Sequence, residues 1–234
     1  MRPTVFLFDI DGTLILTGGA GRRAMRGAFD DHLGPGGATA LDFSFAGMTD
    51  RAIVRQGLVA GGATSTDDAA IDRLLELYLA RLHDEVPRAD SYRVLPGVVE
   101  VLAWLTKLTA EASRLAIGLG TGNVKRGAYA KLSRGSLDTT FAFGGFGCDA
   151  EDRTELLRVG AERGAKALGL PFAECRVVVI GDTPKDIAAA QGIGAECVAV
   201  GTGGFEPEAL RELGAHHAFA TLEHDGVRDA LSGK

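Results

Sequence analysis

The sequence predicts an α/β fold: a Rossmann-like, doubly wound parallel sheet with a small helical cap domain inserted after the first strand. Two observations carry this prediction. Short apolar runs alternate with segments of helical periodicity, which is typical of βα units in a mostly parallel sheet with helices on both faces. One interval, residues 11–95, breaks this alternation because it contains helical segments but no convincing buried strand.

Five runs have the composition of buried strands, since they are short and rich in apolar, β-branched or aromatic residues. They are residues 4–10 (TVFLFDI), 114–120 (RLAIGLG), 140–145 (TFAFGG), 176–182 (RVVVIGD) and 196–201 (ECVAVG). Between or beside these runs lie four segments with helical periodicity. They are residues 98–108, 125–132, 153–169 and 186–192.

The interval after the first strand reads as three helices, at residues 21–33, 50–62 and 67–86. A stretch of this length is too long for a connecting loop. It predicts a helical cap domain over residues 17–91, inserted in a core domain of residues 1–16 and 92–234. The glycine-rich segment 17–21 and the VLPG segment 94–97 are either its hinges or a plain loop and helix start.

Composition narrows the classes of partner. The chain has 234 residues, a formal net charge of −6 and a pI near 5.4, which argue against a general nucleic-acid or anionic-membrane surface. Three widely spaced cysteines without a C-x-x-C pair indicate reduced thiols, and no apolar run approaches the roughly 18 residues of a membrane span. We expect a cytoplasmic protein without a signal peptide, a monomer or homodimer, that binds neither nucleic acid nor membrane.

Three polar clusters follow predicted strands: DIDGT (9–13), GTGN (120–123) and GDTPKD (181–186). Each by itself is also typical of a turn or a helix cap. In an open α/β sheet, however, ligands bind at the carboxyl ends of the strands, where these clusters would meet. They bring together four carboxylates, whose mutual repulsion a hard divalent cation such as Mg²⁺ would relieve. The four are Asp9, Asp11, Asp182 and Asp186.

In order and setting, these motifs resemble the signature motifs of the haloacid dehalogenase-like (HAD) hydrolase superfamily, in particular of its phosphatases. The resemblance covers residues 1–16 and 92–220. The helical insert also resembles the cap of the subgroup that contains phosphoglycolate phosphatases and β-phosphoglucomutases. The resemblance implies a Mg²⁺-dependent phosphatase that acts on a small phosphorylated metabolite, of the phosphoglycolate or sugar phosphate type.

The resemblance also implies roles for single residues. Asp9 would be the nucleophile that forms an aspartyl-phosphate, and Asp11 would be the general acid and base. Dehalogenases lack an acid at the place of Asp11, so this carboxylate favours phosphate ester chemistry. Phosphate would be bound by Thr121, Gly122 and Asn123 at the start of a helix. The metal would be held by Asp9, by the backbone carbonyl of Asp11 and by Asp182, and Asp186 would complete or orient this site.

The sequence departs from the family pattern at the basic residue that faces the phosphate. Related phosphatases often have a Lys-Pro pair before the fourth strand, but here residues 148–156 read CDAEDRTEL. Lys131 and Arg153 are the two candidates for this role, and Lys125 and Lys185 are weaker ones. We favour Lys131, because the long lysine stem reaches back toward the helix N-terminus, although an exposed lysine of no specific role is the alternative.

Other readings of the same residues remain. A phosphomutase would use the same aspartyl-phosphate and return the phosphoryl group to its substrate. A non-catalytic binding protein could retain the fold and the metal site. In the insert, Thr49 or Asp50 is interpreted as a helix N-cap, and residues 201–207 (GTGGFEP) as a turn near the rim of the site.

Overall fold

Six parallel strands form the central sheet. The structure, a computed structural model, describes residues 2–111 and 114–233. The strands of this sheet are β1 (Thr4–Phe8), β4 (Leu115–Thr121), β5 (Gly144–Phe146), β6 (Arg176–Gly181), β7 (Glu196–Val200) and β8 (His217–Phe219). Their order is β5–β4–β1–β6–β7–β8. The winding direction therefore changes at β1, which confirms the predicted doubly wound sheet.

Nine α-helices are seen in the described residues, and they include the seven predicted helices. They are α1 (Ala20–Leu33), α2 (Asp50–Ala60), α3 (Asp68–Arg88), α4 (Val98–Glu111), α5 (Lys125–Ser133), α6 (Arg153–Ala167), α7 (Pro184–Gly192), α8 (Pro207–Glu212) and α9 (Gly226–Ser232). Strand β8 and helices α8 and α9 were not predicted, because each is too short to give a clear periodic pattern. None of these helices is both long and apolar enough to cross a membrane.

Both faces of the sheet are covered. Successive side chains of a strand point to opposite faces, so Phe6 and Phe8 join one hydrophobic cluster while Val5 and Leu7 join the other. The first cluster is completed by α4, α5 and α9, and the second by α6, α7 and α8. All five residues of β1 are buried, as the central position of this strand requires.

A two-stranded antiparallel ribbon leads into and out of the helical insert. Its strands are β2 (Ile15–Thr17) and β3 (Tyr92–Val94), with Ile15 opposite Val94 and Thr17 opposite Tyr92. The ribbon was not predicted, because strands of three residues are too short to be recognised in a sequence. Helices α1, α2 and α3 of the insert pack around a third hydrophobic cluster, which includes Phe29, Leu74 and Tyr78. The assignment of residues 17–91 as a separate domain stays a prediction.

Helix α6 approaches the sheet unusually closely, through a pair of glycines. A Cβ at Gly145 in β5 would lie 1.8 Å from the carbonyl oxygen of Leu156, and one at Gly160 would lie 2.8 Å from the backbone nitrogen of Gly145. Both neighbours are backbone atoms, so a side chain at either position would displace the helix. This close approach sets the position of the N-terminus of α6, from which Arg153 projects.

We expect Gly160→Ala to destabilise the protein even though alanine is the better helix former. The overpacking should cost about 1 to 3 kcal/mol. Gly127 in α5 is the matched control, because its Cβ would meet its nearest neighbour at an ordinary 3.5 Å. Gly127→Ala should therefore be neutral or stabilising, by up to about 1 kcal/mol. Urea unfolding of both variants tests this, and equal shifts of the two midpoints would contradict it.

Candidate active site

The three polar clusters meet at the carboxyl edge of the sheet. Strand β1 lies between β4 and β6, and Phe8 pairs with Leu119 on one side and Ile180 on the other. The residues that follow these strands therefore lie side by side beneath the insert. They line a cavity of about 580 Å³ together with insert residues such as Phe45, Met48 and Tyr78.

Gly12 shapes the turn that follows β1. Its φ of +88° lies in the left-handed region that favours glycine. A Cβ at this position would also lie 2.3 Å from Oδ2 of Asp182. The carbonyl of Ile10 accepts hydrogen bonds from the backbone N–H groups of Leu14 and Ile15. These bonds close a tight turn directly after the strand. The turn thus brings Asp9 and Asp11 to the same cavity, although they lie only two residues apart.

Asp182, at the end of β6, is held in a narrow space. Thr13 Oγ1 donates a hydrogen bond of 2.8 Å to its Oδ1, a contact that the sequence analysis missed because 169 residues separate the partners. A Cβ at Gly203 would lie 1.6 Å from its Oδ2, so a glycine is required there as well. Residues 201–207, expected near the rim, do reach the site, and the Thr202 hydroxyl donates to the Gly12 carbonyl.

Asp186 lies at the start of α7 and is completely buried. Its Oδ2 accepts hydrogen bonds from the backbone N–H groups of Asp182 (3.2 Å) and Thr183 (2.9 Å) and from Thr183 Oγ1 (2.7 Å). Its Oδ1 accepts from Nε (3.0 Å) and Nη2 (2.5 Å) of Arg153. Both oxygens are thus engaged within the protein, so this carboxylate fixes the positions of its neighbours.

Arg153 also pairs with Asp9, because its Nη2 lies 3.1 Å from Asp9 Oδ2, and both side chains are more than nine-tenths buried. Burial nevertheless raises the pKa of Asp9 to about 6, with the charges of Asp186 and Asp11 adding to the effect and Arg153 opposing it. Burial, followed by repulsion from Asp186 and Asp9, also raises the pKa of Asp182 well above its ordinary value. The site therefore carries more negative charge than its basic residues compensate.

This donor set fits a hard divalent cation. One carboxylate oxygen each from Asp9, Asp182 and Asp186 lies within 4.8 Å of the others, and all three residues are buried. Oxygen ligands of this kind suit Mg²⁺. The Asp11 carboxylate is not part of the group; it lies among different partners.

The loop after β4 holds Asp11. Asn123 Nδ2 donates to Oδ2 of Asp11 and to Oγ1 of Thr121, both at 2.9 Å. Thr121 Oγ1 also accepts from the backbone N–H of Asn123, which leaves its own proton for a further acceptor. Thr121 is fully buried and is not among the residues that line the cavity, whereas Gly122 and Asn123 are.

Lys131 reaches this site from α5 and is buried. Its Nζ donates to Asp11 Oδ2 and to Asn123 Oδ1, both at 2.6 Å. Burial disfavours the ammonium, but the carboxylates of Asp11 and Asp50 and the nearby Tyr78 together raise the pKa of Lys131. Both basic candidates of the sequence thus lie in the site, Arg153 beside Asp9 and Lys131 beside Asp11. Lys125 and Lys185 do not line the cavity.

The insert is fastened to this loop at the start of α2. The Asp50 backbone N–H donates to the Gly122 carbonyl, and Asp50 Oδ2 accepts from the Val124 N–H, both at 2.8 Å. Thr49 is the N-cap of α2, as expected, because its Oγ1 accepts from the Ala52 N–H. Asp50 is the other candidate for this cap, but its carboxylate instead accepts a hydrogen bond from Val124 at the start of α5.

A family model for haloacid dehalogenase-like hydrolases matches residues 3–194 of the chain. The chain belongs to this family of hydrolases. The match includes all three motifs and confirms the resemblance inferred from them. Among curated proteins, a search finds no match to this hydrolase.

Solved structures share the whole fold of this hydrolase. A hydrolase from Pseudomonas syringae is 23% identical, with a TM-score of 0.70 and 99% of each chain covered. β-Phosphoglucomutase from Clostridium difficile is 17% identical, with a TM-score of 0.71 over 99% of this chain and 96% of that one. CbbY from Rhodobacter sphaeroides, in complex with phosphate, is 17% identical, with a TM-score of 0.67 and 97% of each chain covered. At these identities the likeness establishes the fold.

The buried carboxyl of Asp50 should make the stability of this hydrolase pH-dependent. Burial raises the pKa of Asp50 to about 6, and Lys131 only partly opposes this effect. The folded-state pKa of Asp50 lies above the unfolded-state pKa, so protonation of Asp50 favours the folded state. This contribution to the free energy of unfolding is complete below the unfolded-state pKa and is lost as the pH rises through about 6. Asp50→Asn should therefore gain stability over wild type between pH 4 and pH 7, by up to about 3 kcal/mol.

Urea unfolding at both pH values, in EDTA to exclude bound metal, measures this difference. Asn can still accept the hydrogen bond from Val124, so the packing contribution should be similar at both pH values. A stability difference between variant and wild type that does not change with pH would contradict the prediction.

Proposed function

We propose that this hydrolase is a Mg²⁺-dependent phosphatase of a small phosphorylated metabolite, such as phosphoglycolate or a sugar phosphate. The observation that carries the proposal is the difference in surroundings between Asp9 and Asp11, which are two residues apart. Asp9 is buried beside Arg153 and the acidic group, whereas Asp11 is 42% exposed toward the cavity and is held by Asn123 and Lys131. Two carboxylates in such different surroundings suit two different tasks.

Asp9 is the proposed nucleophile. One of its carboxylate oxygens attacks phosphorus, a new O–P bond forms, and the bond from phosphorus to the leaving oxygen breaks. Water then attacks the phosphorus of the aspartyl-phosphate, the Asp9–phosphorus bond breaks, and inorganic phosphate leaves. The carboxylate of Asp9 is thereby regenerated for the next turnover.

Asp11 is the proposed proton carrier. As an acid, it gives its proton to the leaving oxygen of the ester while that bond breaks. As a base, it takes a proton from the attacking water in the second step. The turn at Gly12 supports this division of labour, because it directs Asp11 into the cavity while Asp9 stays at the end of the strand.

The proposed Mg²⁺ would be held by the side chains of Asp9 and Asp182 and by the backbone carbonyl of Asp11. Asp186, with both oxygens already hydrogen-bonded, would orient this set. When bound, the ion neutralises repulsion between the Asp9 carboxylate and the phosphate and stabilises charge on the phosphate oxygens. The raised pKa values of Asp9 and Asp182 are the electrostatic support for a cation here.

We propose that Thr121 and the backbone of Gly122 and Asn123 bind the phosphate, with Arg153 as the basic group beside Asp9. Arg153 was the alternative to Lys131 in the sequence analysis, and its 3.1 Å distance from Asp9 favours it. A direct contact of Lys131 with phosphate stays a prediction.

The proposed substrate is small because the cavity of about 580 Å³ is bounded by the insert. Insert residues Phe45, Met48 and Tyr78 face the catalytic edge across this space. Two CbbY structures contain phosphate and xylulose 1,5-bisphosphate, respectively, so this fold accommodates phosphorylated ligands in that protein. The insert residues would distinguish one leaving group from another.

A panel of phosphomonoesters assayed with Mg²⁺ and again with EDTA tests the proposed function. We expect release of inorganic phosphate in the presence of Mg²⁺ and its loss in EDTA. Asp9→Asn should lose more than about 10³-fold in kcat, because the amide is a very poor nucleophile. Asp229→Asn, an exposed aspartate on α9, is the matched control and should leave turnover unchanged.

Turnover by Asp9→Asn at the wild-type rate, with the fold intact by circular dichroism, would exclude Asp9 as the nucleophile. The products decide between the two enzyme readings, since isomerised sugar phosphate without free phosphate would indicate a phosphomutase. Absence of metal-dependent turnover on the whole panel would favour the non-catalytic binding protein.

Asp11→Asn should be selective for the leaving group. An alkyl phosphate needs a proton on its departing alkoxide, whereas the nitrophenolate of p-nitrophenyl phosphate leaves without one. We therefore expect kcat/KM, which reports the first chemical step, to fall about 10²- to 10⁴-fold for glycerol phosphate and much less for p-nitrophenyl phosphate. Equal losses on the two esters would count against the acid role.

A further inference from the structure

We propose that Lys131 is a positioning residue, which aims the carboxyl of Asp11 at the leaving group and makes this aim depend on the seating of the insert. The inference rests on the proposed function and deepens it. Its basis is the set of contacts that Lys131 makes with the core loop on one side and with the insert on the other.

Most of the hydrogen-bonding capacity of the Lys131 ammonium is used by neighbouring side chains. Its ammonium has three N–H donors. Two point to Asp11 Oδ2 and Asn123 Oδ1, each at 2.6 Å, and the hydroxyl of Tyr78 lies beside the ammonium. The Lys131 side chain is only 6% exposed, so it cannot turn toward another acceptor without breaking this arrangement. The ammonium is therefore directed mainly at neighbouring side chains of the protein.

These contacts treat the two oxygens of Asp11 differently. Oδ2 receives hydrogen bonds from both Lys131 and Asn123. Within the described residues, Oδ1 has no hydrogen-bond partner, and the carboxyl is 42% exposed. In the protonated acid, two donors on Oδ2 place the proton on Oδ1. That oxygen is the one able to meet the leaving group, so Lys131 and Asn123 together set the direction of proton transfer.

The insert supplies the other side of this arrangement. Tyr78 belongs to α3 and is 99% buried, next to the Lys131 ammonium. Asp50 of α2 accepts the hydrogen bond from Val124, the residue that precedes α5, and so fixes the helix that carries Lys131. If the insert moved away, Lys131 would lose the Tyr78 hydroxyl, and α5 would lose its bond to Asp50. Correct placement of Asp11 thus requires a seated insert.

Three roles for Lys131 make different predictions. A direct phosphate ligand would contribute to every substrate and to the binding of inorganic phosphate. A purely structural lysine would affect stability and leave the pattern of reactivity unchanged. A residue that acts through Asp11 should affect only esters that need the proton, and should have no effect once Asp11 is gone.

The test compares kcat/KM of Lys131→Met, Asp11→Asn and the double variant on glycerol phosphate and p-nitrophenyl phosphate. We expect Lys131→Met to lose about 10- to 100-fold on glycerol phosphate and less than about 3-fold on p-nitrophenyl phosphate. The double variant should match Asp11→Asn within about 2-fold, because the two residues act as a unit. Inhibition by inorganic phosphate should be unchanged. Lys166→Met, an exposed lysine on α6, is the control and should match wild type.

Equal losses on the two esters, weaker inhibition by phosphate, or multiplicative losses in the double variant would each overturn the inference while leaving the phosphatase intact. Absence of turnover by the wild type would overturn the proposed function and this inference with it.

Removal of a buried charge can also prevent folding, which circular dichroism would reveal. Lys131→Arg then replaces Lys131→Met, since it keeps the charge but cannot direct three donors at the same points. The same selective loss is expected at smaller amplitude, and an unselective loss would overturn the inference.

Discussion

Compensation of negative charge at the end of β1 is the constraint on which the rest of the site depends. Four carboxylates meet where three strands end, and three of them are more than nine-tenths buried. Arg153 is shared between Asp9 and Asp186, and Lys131 pairs with Asp11. In the described residues Asp182 forms no ion pair and accepts a hydrogen bond from Thr13. The protein thus provides basic partners for three of the acids, and the uncompensated charge lies at Asp182.

Close backbone packing supports this charge arrangement. Gly12 and Gly203 leave the space that Asp182 fills, while Gly145 and Gly160 let α6 approach the sheet and bring Arg153 to Asp9. A side chain at any of these positions would meet a backbone atom or the carboxylate of Asp182. The arrangement of these charged side chains therefore depends on residues that carry no functional group.

Much of the fold and most residues of the candidate site could be predicted from the sequence, because both follow from local sequence patterns. The βα alternation is periodic, and the acids and Thr121 directly follow strands whose ends must meet in a parallel sheet. What could not be predicted depends on contacts between distant parts of the chain. The bond from Thr13 to Asp182 and the approach of Tyr78 to Lys131 leave no local signal, since a tyrosine on an amphipathic helix is typical of a hydrophobic core. The short strands β2, β3 and β8 were missed for lack of length.

The ribbon of β2 and β3 sets the distance between the points where the chain enters and leaves the insert. Because Thr17 and Tyr92 are cross-strand partners, the chain leaves the core and returns to it at neighbouring points. Any segment whose two ends lie one strand spacing apart can close the same gap. A longer or shorter segment between Thr17 and Tyr92 would therefore leave the distance between these two connection points unchanged.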